Sequence, residues 1–342
     1  MKKKRALRIL ALVHDHLVPP EDTTGIDILE AEWKMEYDVI ETLREMGHEV
    51  RVLGIHDDLG GIRPTAGHFK PHIVFNLLEA FADVTTFDQN VVSYLELLHL
   101  PYTGCNPRGL IFARDKALSK KLLAYHRIHV PEFTVVRPGH RVTVPKRLGF
   151  PLIVKSLFFE ASAGISQASV VENQEQLERR AEFIHEKLGT AAIVEQYIDG
   201  RELYVSVIGN QRVEVLPPWE MSFDGLTDRR WKIATERVKW SSKYQKKHGI
   251  MTDRAHLNDA ERERLQRVAR RTYRALDLSG YARVDLRMDD QGRAYVIEAN
   301  PNPNLAYGED FSESAEAAGL SYERLLERII GLGRRWEPAR TG

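Results

Sequence analysis

Residues 281–304 read YARVDLRMDDQGRAYVIEANPNPN, and this stretch decides the fold class. Polar and apolar side chains alternate in its first half, as in a β-strand with one face in a core and the other face polar. The polar face carries Arg283, Asp285 and Arg287, and the apolar face carries Ala282, Val284, Leu286 and Met288. The run Asp290-Gln291-Gly292 then predicts a turn. The stretch therefore predicts an antiparallel β-hairpin with a charged face.

This predicted hairpin brings two acids together. A two-residue loop at Gln291-Gly292 places Asp285 directly opposite Glu298, and Asn300 follows near the strand end. Like charges that face each other are destabilising, so the pair needs compensation. Arg283 in the same strand, water at an exposed edge, or a hard metal ion such as Mg²⁺ could supply it. A surface hairpin with a simple Asp–Arg pair is the alternative interpretation.

Two lysines are candidates for holding phosphate groups. Lys155 follows an apolar strand and precedes a small-residue segment, residues 160–164, whose backbone could fold over a phosphate chain. Lys116 opens a helix after Asp115. Taken singly, each lysine is better explained as an ordinary surface or strand-end residue. The sequence contains neither G-x-x-x-x-G-K-[ST] nor G-x-G-x-x-G, which argues against a P-loop enzyme and a Rossmann dehydrogenase.

The composition bounds the class of protein. The 342 residues, 43% of them apolar, are enough for two or three domains with buried cores. Basic and acidic side chains balance at 49 each, which leaves no global field to attract nucleic acid or an anionic membrane. The lone Cys105 cannot form an internal disulfide, and no apolar run approaches the ~20 residues of a membrane span. We therefore expect a cytoplasmic protein that binds neither nucleic acid nor membranes.

The order of predicted elements changes along the chain. The first hundred residues alternate strands and helices, including a helix from about Ile28 to Met46 with Trp33, Tyr37, Ile40 and Leu43 on one stripe. Later strands cluster together, which indicates antiparallel α+β sheets. Residues 219–256 show no clear period and predict a long loop. Its basic part, residues 229–247, is either a solvated charge run or a lid over an anionic ligand.

In this order, the pieces resemble the ATP-grasp ligases, and within them the D-alanine–D-alanine ligase branch. The matching strings lie within roughly residues 72–330 and are Leu100-Pro101-Tyr102-Thr103-Gly104, Asp115-Lys116 with Ser119-Lys120, LGFPLIVK at 148–155, Val194-Glu195 through Gly200 and Glu202, Arg283-Val284-Asp285 and Glu298-Ala299-Asn300. The resemblance implies α/β and α+β architecture in three domains: a parallel α/β domain (1–104), a central subdomain (105–202), and a C-terminal subdomain (203–335) with a basic lid loop (219–256). The two α+β domains would clasp ATP between them.

The resemblance also implies roles for individual residues. The implied nucleotide contacts are Lys116 and Lys155 at the phosphates, Ser162 in the small-residue segment, Glu195, Gln196, Tyr197 and Ile198 in the adenine hinge, and Glu202 at the ribose. The implied ligands of Mg²⁺, as two ions, are Asp285, Glu298 and Asn300. The implied catalytic residues are Arg283, Lys155 and Lys239 of the lid, and the implied substrate contacts are Arg283, Asn302 and Glu79.

The implied reaction joins the carboxylate of an amino acid or peptide to an amine through an acyl phosphate, with release of ADP and phosphate, in a homodimer. The family's glycine-rich segment has no counterpart between Val13 and Glu30, and residues 75–80 replace its His-Gly-x-x-Gly-Glu-Asp-Gly string. The motifs therefore do not identify the acid or the amine. Three alternatives remain: an enzyme of this fold acting on a different acid, a nucleotide-binding regulatory protein without turnover, and a nucleic-acid binder that uses the basic loop.

Overall fold

The computed structural model describes residues 6–159, 164–223, 225, 231–240 and 242–338, with the backbone alone at 239, 240 and 242. These described residues form three β-sheets with helices packed on them. One sheet is parallel and precedes two antiparallel sheets along the chain, as predicted. In the described part of the chain, no helix is both long enough and apolar enough to cross a membrane.

The first sheet is parallel, with its strands in the order β2-β1-β3. Its strands are β1 (Arg8–His14), β2 (Glu49–Ile55) and β3 (Ile73–Asn76), and the accompanying helices are α1 (Lys34–Glu45), α2 (Ile62–Phe69) and α3 (Asp88–Leu97). The central strand β1 is an almost unbroken apolar run because both faces of a parallel sheet are covered.

The second sheet is antiparallel, with its strands in the order β4-β7-β5-β6. Its strands are β4 (Phe133–Val136), β5 (Leu152–Ser156), β6 (Val170–Val171) and β7 (Ala192–Gln196), and the helices of this region are α4 (Pro107–Arg114), α5 (Lys116–Tyr125) and α6 (Gln174–Lys187). The Asn173 side chain accepts a hydrogen bond from the Gln176 N–H and so caps the start of α6.

The third sheet is antiparallel, with the order β11-β10-β8-β12-β13 and with β9 paired to β8. Its strands are β8 (Arg201–Gly209), β9 (Val213–Val215), β10 (Trp219–Ser222), β11 (Met251–Arg254), β12 (Tyr281–Met288) and β13 (Ala294–Pro301). The helices of this region are α7 (Glu236–Trp240), α8 (Ser242–Lys247), α9 (Asp259–Ala275), α10 (Asp310–Ala317) and α11 (Tyr322–Gly333).

The prediction that residues 219–256 form a long loop is wrong. Strands β10 and β11 pair at the edge of the third sheet, and two short helices, α7 and α8, lie between them. Each strand has four residues, which is too short for an alternating pattern to be recognised among so many charged side chains. This pairing holds both ends of the segment 219–256 on the third sheet.

The parallel sheet shares its two cores with the C-terminal part of the chain. On one face, Leu10 of β1 belongs to an apolar cluster that includes Val284 of β12. On the other face, Ile9 belongs to a cluster that includes Leu325 and Ile329 of α11. These shared cores fix the position of the first sheet relative to the third sheet.

The first predicted helix differs from the structure in its bounds and in its buried face. A 3₁₀ turn occupies Ile28–Glu30, and α1 begins only at Lys34. Trp33 and Tyr37 of the predicted stripe are half-buried, whereas Glu36 is buried. Neither carboxylate oxygen of Glu36 has a hydrogen-bond partner among the described residues. Desolvation, with a smaller contribution from Glu79, raises the pKa of Glu36 to about 8.

The raised pKa of Glu36 predicts a pH-dependent stability. The folded protein keeps the proton up to about pH 8, whereas the unfolded chain releases it near 4.5, so this stability is lost as the pH rises between those values. We expect Glu36→Gln to remove this dependence, so that wild type loses about 2–4 kcal/mol more than the variant between pH 5 and pH 8. Urea unfolding across this range measures it, with Glu45→Gln on the exposed face of α1 as the control. Equal pH slopes for wild type and Glu36→Gln would contradict the prediction.

Candidate active site

The β12–β13 hairpin pairs Asp285 with Glu298, as predicted, but by a different turn. The Gly292 N–H donates to the Asp289 carbonyl, and Gly292 has a φ of 71°, so residues 290–292 form a three-residue loop instead of the predicted two-residue loop. A bulge between Asp285 and Leu286 then shifts the register by one residue. The longer loop and the bulge offset each other, which leaves the two acids opposite each other.

Arg283 supplies the compensation that Asp285 needs. Its Nε and Nη2 donate to the two Asp285 carboxylate oxygens at 2.7 and 2.9 Å, and its Nη1 lies 3.3 Å from Asp310 Oδ2 at the start of α10. The guanidinium also lies over the Tyr204 ring, 4.6 Å from its centroid. Burial disfavours the charge, but Asp285 and Asp310 outweigh burial and hold the pKa of Arg283 well above its ordinary value. Arg283 is therefore a fixed cation inside the site.

The three candidate metal ligands present a set of oxygen donors. Asp285 and Glu298 are opposite in register, and Asn300 lies two residues beyond Glu298 on the same face of β13. The Asn300 amide nitrogen is buried and has no hydrogen-bond partner within the described ranges, so the amide is not committed to another protein group. Carboxylate and amide oxygens are the donors that Mg²⁺ prefers. The residues present therefore fit a hard divalent cation.

A buried charge cluster lies opposite these acids. Glu195 of β7 lies between Lys120 of α5 and Lys155 of β5, with both ammonium nitrogens 3.3 Å from its carboxylate oxygens. Lys120 and Glu195 are each only 1% exposed, and Lys120 also donates to the Ile297 carbonyl of β13. The cluster therefore ties the second sheet to the hairpin that carries the acids.

The charge states in this cluster depend on one another. Burial alone would raise the pKa of Glu195, but the two ammonium groups outweigh burial and hold its pKa below the ordinary value. Burial lowers the pKa of Lys120, and the neighbouring Lys155 lowers it further, whereas Glu195 opposes both effects. One carboxylate and two ammonium groups leave net positive charge on this wall of the site.

Lys116 joins this positive wall from the first turn of α5. The Asp115 side chain caps the helix by accepting from the N–H groups of Ala117 and Leu118, which fixes the direction of the turn. The Lys116 ammonium donates to the Phe159 carbonyl at 2.7 Å and lies 3.8 Å from Glu298 Oε2. Lys116 thus lies between the positive wall and the acids of the hairpin.

The predicted hinge and ribose residues are held by Arg287, for which no role was predicted. Arg287 Nη2 donates to Glu202 at 2.7 Å, and Nη1 donates to the Gly200 carbonyl at 3.2 Å. Its guanidinium lies 5.7 Å from the centroid of the Tyr197 ring. The alternation of β12 already placed Arg287 on the same face as Arg283 and Asp285, which is the signal that could have identified it.

A cleft of about 810 Å³, partly open to solvent, joins these parts. The predicted residues that line it are Lys116, Lys155, Glu195, Gln196, Tyr197, Ile198, Glu202, Asp285 and Glu298. Apolar side chains of Ile153, Ile165 and Ile233 line it as well. The cleft therefore offers an apolar part next to the hinge, and a charged part between the lysines and the acids.

Part of the basic segment covers this cleft. Ile233 and Ala234 line it, and Gln167 exchanges two hydrogen bonds with the Trp231 backbone, at 2.8 and 3.0 Å. The Glu236 N–H donates to the Ile165 carbonyl at 3.1 Å. Residues 231–236 are thus anchored over the cleft, which favours the lid interpretation over a solvated charge run.

Four of the predicted site residues that the structure describes are not among the residues that line the cleft: Arg283, Asn300, Asn302 and Glu79. Glu79 is exposed in the segment after β3, and the buried Asn302 uses its amide oxygen to accept from the Cys105 N–H at 2.8 Å. Asn302 has a φ of 52°, a left-handed conformation that Asn adopts more readily than most residues. Ser162 and the side chain of Lys239 lie outside the described residues.

A parallel α/β sheet followed by two antiparallel sheets, with lysines and paired acids facing one cleft, defines an ATP-grasp enzyme. A family model described as D-ala D-ala ligase C-terminus matches residues 122–331. The chain belongs to this D-alanine–D-alanine ligase-like family and is an ATP-dependent, ADP-forming carboxylate–amine ligase.

Relatives align with most of the chain. An uncharacterized protein, y4sG, of Sinorhizobium fredii (strain NBRC 101917 / NGR234) is 32% identical over 305 residues, which cover 87% of this chain and 86% of that protein. The D-alanine–D-alanine ligase of Desulforudis audaxviator (strain MP104C) is 31% identical over 298 residues, covering 86% of this chain and 84% of that ligase. The solved D-alanine–D-alanine ligase from Bacillus anthracis complexed with ATP has a TM-score of 0.72 and 23% identity, covering 96% of this chain and 98% of its own. The predicted fold class is confirmed.

Proposed function

We propose that this ligase binds ATP in the cleft and joins the carboxylate of an amino acid or peptide to the amine of a second amino acid. One observation carries the proposal: paired acids and a lysine-rich wall face each other across the same cleft. Phosphoryl transfer depends mainly on positioning and charge neutralisation, and these residues supply both. D-alanine is the first substrate to test, because relatives that align with most of the chain are D-alanine–D-alanine ligases.

In the proposed complex, the purine lies in the apolar part of the cleft against the hinge residues Gln196, Tyr197 and Ile198. Glu202, held by Arg287 and by the Tyr204 hydroxyl at 2.9 Å, accepts from the ribose hydroxyls. Lys116 and Lys155 contact the phosphates. In this proposal the Glu195 side chain does not contact the purine. It pairs with the ammonium groups of Lys120 and Lys155 and holds them in place.

Asp285, Glu298 and Asn300 would hold Mg²⁺, in our proposal as two ions. When bound, Mg²⁺ would neutralise charge on the triphosphate. A carboxylate oxygen of the first substrate bonds to the γ-phosphorus as the bond to the bridging oxygen of ADP breaks, which gives an acyl phosphate. The amine nitrogen of the second substrate then bonds to the acyl carbon, phosphate leaves, and the nitrogen loses a proton. Arg283 remains charged throughout and stabilises the developing oxyanion.

ADP release with defined substrates tests this proposal. We expect release to require Mg²⁺, a carboxylate substrate and an amine together, and we expect mass spectrometry to find one amide product per ADP. A panel of D- and L-amino acids and dipeptides identifies the pair. ADP release that needs no amine would contradict ligation. Tight nucleotide binding without turnover on any pair would contradict the proposed amino acid and peptide substrates.

Lys116 offers a matched test on one helix. We expect Lys116→Met to raise the KM for ATP about 10- to 150-fold, because a charge-assisted contact to a phosphate is worth about 1.5–3 kcal/mol. Lys121→Met is the control, since Lys121 is an exposed residue of the same helix. Steady-state ADP release measures both variants. An unchanged KM for Lys116→Met would remove Lys116 from the phosphate site.

We also propose three features of organisation. The proposed domains 1–104, 105–202 and 203–335 each contain one sheet, except that the third sheet begins at Arg201 of β8, two residues before the last boundary. A homodimer and a cytoplasmic location follow from the resemblance and from the need for ATP. Light scattering of the purified protein tests the dimer, and cell fractionation tests the location.

A further inference from the structure

A cluster of histidine and aspartate side chains lies at the carboxyl edge of the parallel sheet, outside the cleft residues described above. His14 is the last residue of β1, and His56 directly follows the adjacent strand β2. Asp83 comes from the segment between β3 and α3. The carboxyl edge is where open α/β sheets present ligand-binding side chains.

The spacing of this cluster suits one metal ion. His14 Nε2 lies 3.5 Å from Asp83 Oδ1, and His56 Nε2 lies 3.2 Å from Asp83 Oδ2. One ligand atom from each of the three residues lies within 4.8 Å of the others. Two donors bound at ordinary zinc distances in a tetrahedral site are about 3.4 Å apart. Small side-chain rotations would therefore bring the three donors onto one ion.

His14 is the observation that points to a ligand. The side chain is only 9% exposed, and neither ring nitrogen has a hydrogen-bond partner in the part of the chain that the structure describes. Asp15 Oδ1 lies 2.9 Å from Nδ1, within ion-pair distance but without hydrogen-bond geometry. A buried imidazole without hydrogen bonds is costly unless a ligand completes its contacts.

Backbone contacts hold the residues around His14 in place. Ala82 and Asp83 have φ values of 52° and 58°, and the Ala82 N–H donates to the His56 carbonyl at 2.8 Å. Gly54 of β2 lets the chain just after β1 pass close by, since a Cβ on Gly54 would come within 3.1 Å of the Asp15 Cα. These contacts bring Asp83 and Asp15 to opposite sides of the His14 ring.

We propose that His14, His56 and Asp83 bind a divalent transition-metal ion of the zinc type, separate from the Mg²⁺ of the ATP cleft. Imidazole nitrogens favour zinc-type ions, whereas the all-oxygen set on the hairpin favours Mg²⁺. Asp15 lies beside Nδ1 of His14, so a small rotation of its side chain would let it accept the Nδ1 proton and leave Nε2 for the metal, as the outer-shell carboxylates of zinc histidines do. Two carboxylates beside the imidazoles argue against an anionic ligand.

Zn²⁺ titration of the full chain tests the proposal. The protein is first stripped with a chelator, and calorimetry is run with excess Mg²⁺ present so that the oxygen site is saturated. We expect one Zn²⁺ per chain, with affinity at least about tenfold weaker in His56→Gln and in Asp83→Asn. Both side chains are partly or largely exposed, so both variants should fold, and circular dichroism checks this. His126→Gln, an exposed histidine at the end of α5, is the control and should bind as wild type does.

Two results would overturn the proposal. Equal Zn²⁺ affinity in wild type, His56→Gln and Asp83→Asn would mean that the cluster is a surface ion pair only. Zn²⁺ binding that persists in these variants but is lost in Glu298→Gln would assign the ion to the ATP cleft. Because the titration contains no ATP and measures no turnover, its failure would leave the proposed ligase function untouched.

Discussion

Replacing Glu298 by glutamine is expected to lower kcat/KM for ADP release roughly 100- to 1,000-fold, because the amide keeps the shape of the side chain but removes one of the paired charges. Glu298 faces Asp285 across the hairpin and lies 3.8 Å from the Lys116 ammonium. The substitution replaces a charged carboxylate of the proposed Mg²⁺ site by a neutral amide with a single oxygen donor. Steady-state kinetics at saturating Mg²⁺ measure the loss.

The same variant should not be less stable than wild type. Glu298 opposes another carboxylate, so neutralising it relieves like-charge repulsion, and this gain offsets the weakened contact with Lys116. We therefore expect an unchanged or slightly higher thermal midpoint together with the kinetic loss. Glu263→Gln on the exposed face of α9 is the control for both measurements. Turnover of Glu298→Gln within about threefold of wild type would show that Glu298 is not part of the machinery.

The sequence was sufficient to predict the hairpin acids because a strand has a strict period of two. That period placed Asp285 and Arg283 on one face whatever the turn, and it survived a wrong assignment of the loop length. The fold class followed from the order of strands and helices in the same way. The bulge at Asp285 could not be predicted, since it depends on how β13 packs against its neighbours.

Contacts between elements that are distant in the chain were not predictable from local patterns. Lys120 shares a helix face with Lys116, four residues earlier, and this spacing was the available signal. Its pairing with Glu195 depends on how α5 packs against the second sheet. The burial of Glu36 was missed for a different reason. A charged residue is expected at the protein surface, so the predicted apolar stripe of α1 did not include position 36.

The buried charge cluster gives the largest expected effect on stability. Glu195→Gln removes the carboxylate between two lysines, of which Lys120 is 1% exposed, and leaves two ammonium groups facing each other without the charge that separates them. We expect this variant to lose about 3–5 kcal/mol of unfolding free energy, the usual cost of an uncompensated buried charge. Lys120→Met should cost less than about 2 kcal/mol, because Glu195 keeps Lys155 as its partner and an apolar side chain fills the space. Urea unfolding of the two variants measures the difference.

The double variant Lys120→Met/Glu195→Gln shows whether the charges of the two residues are coupled. In Glu195→Gln, the Lys120 and Lys155 ammonium groups repel each other, and the further change Lys120→Met relieves this repulsion. The double variant should therefore be more stable than Glu195→Gln alone. Independent contributions would instead add, and the double variant would be the least stable of the three. Two results would contradict this expectation: additive losses, or a smaller loss for Glu195→Gln than for Lys120→Met. Either result would show that the ammonium groups reach solvent or lose their protons once Glu195 is neutral. The lysine wall of the cleft would then carry less charge than the geometry indicates.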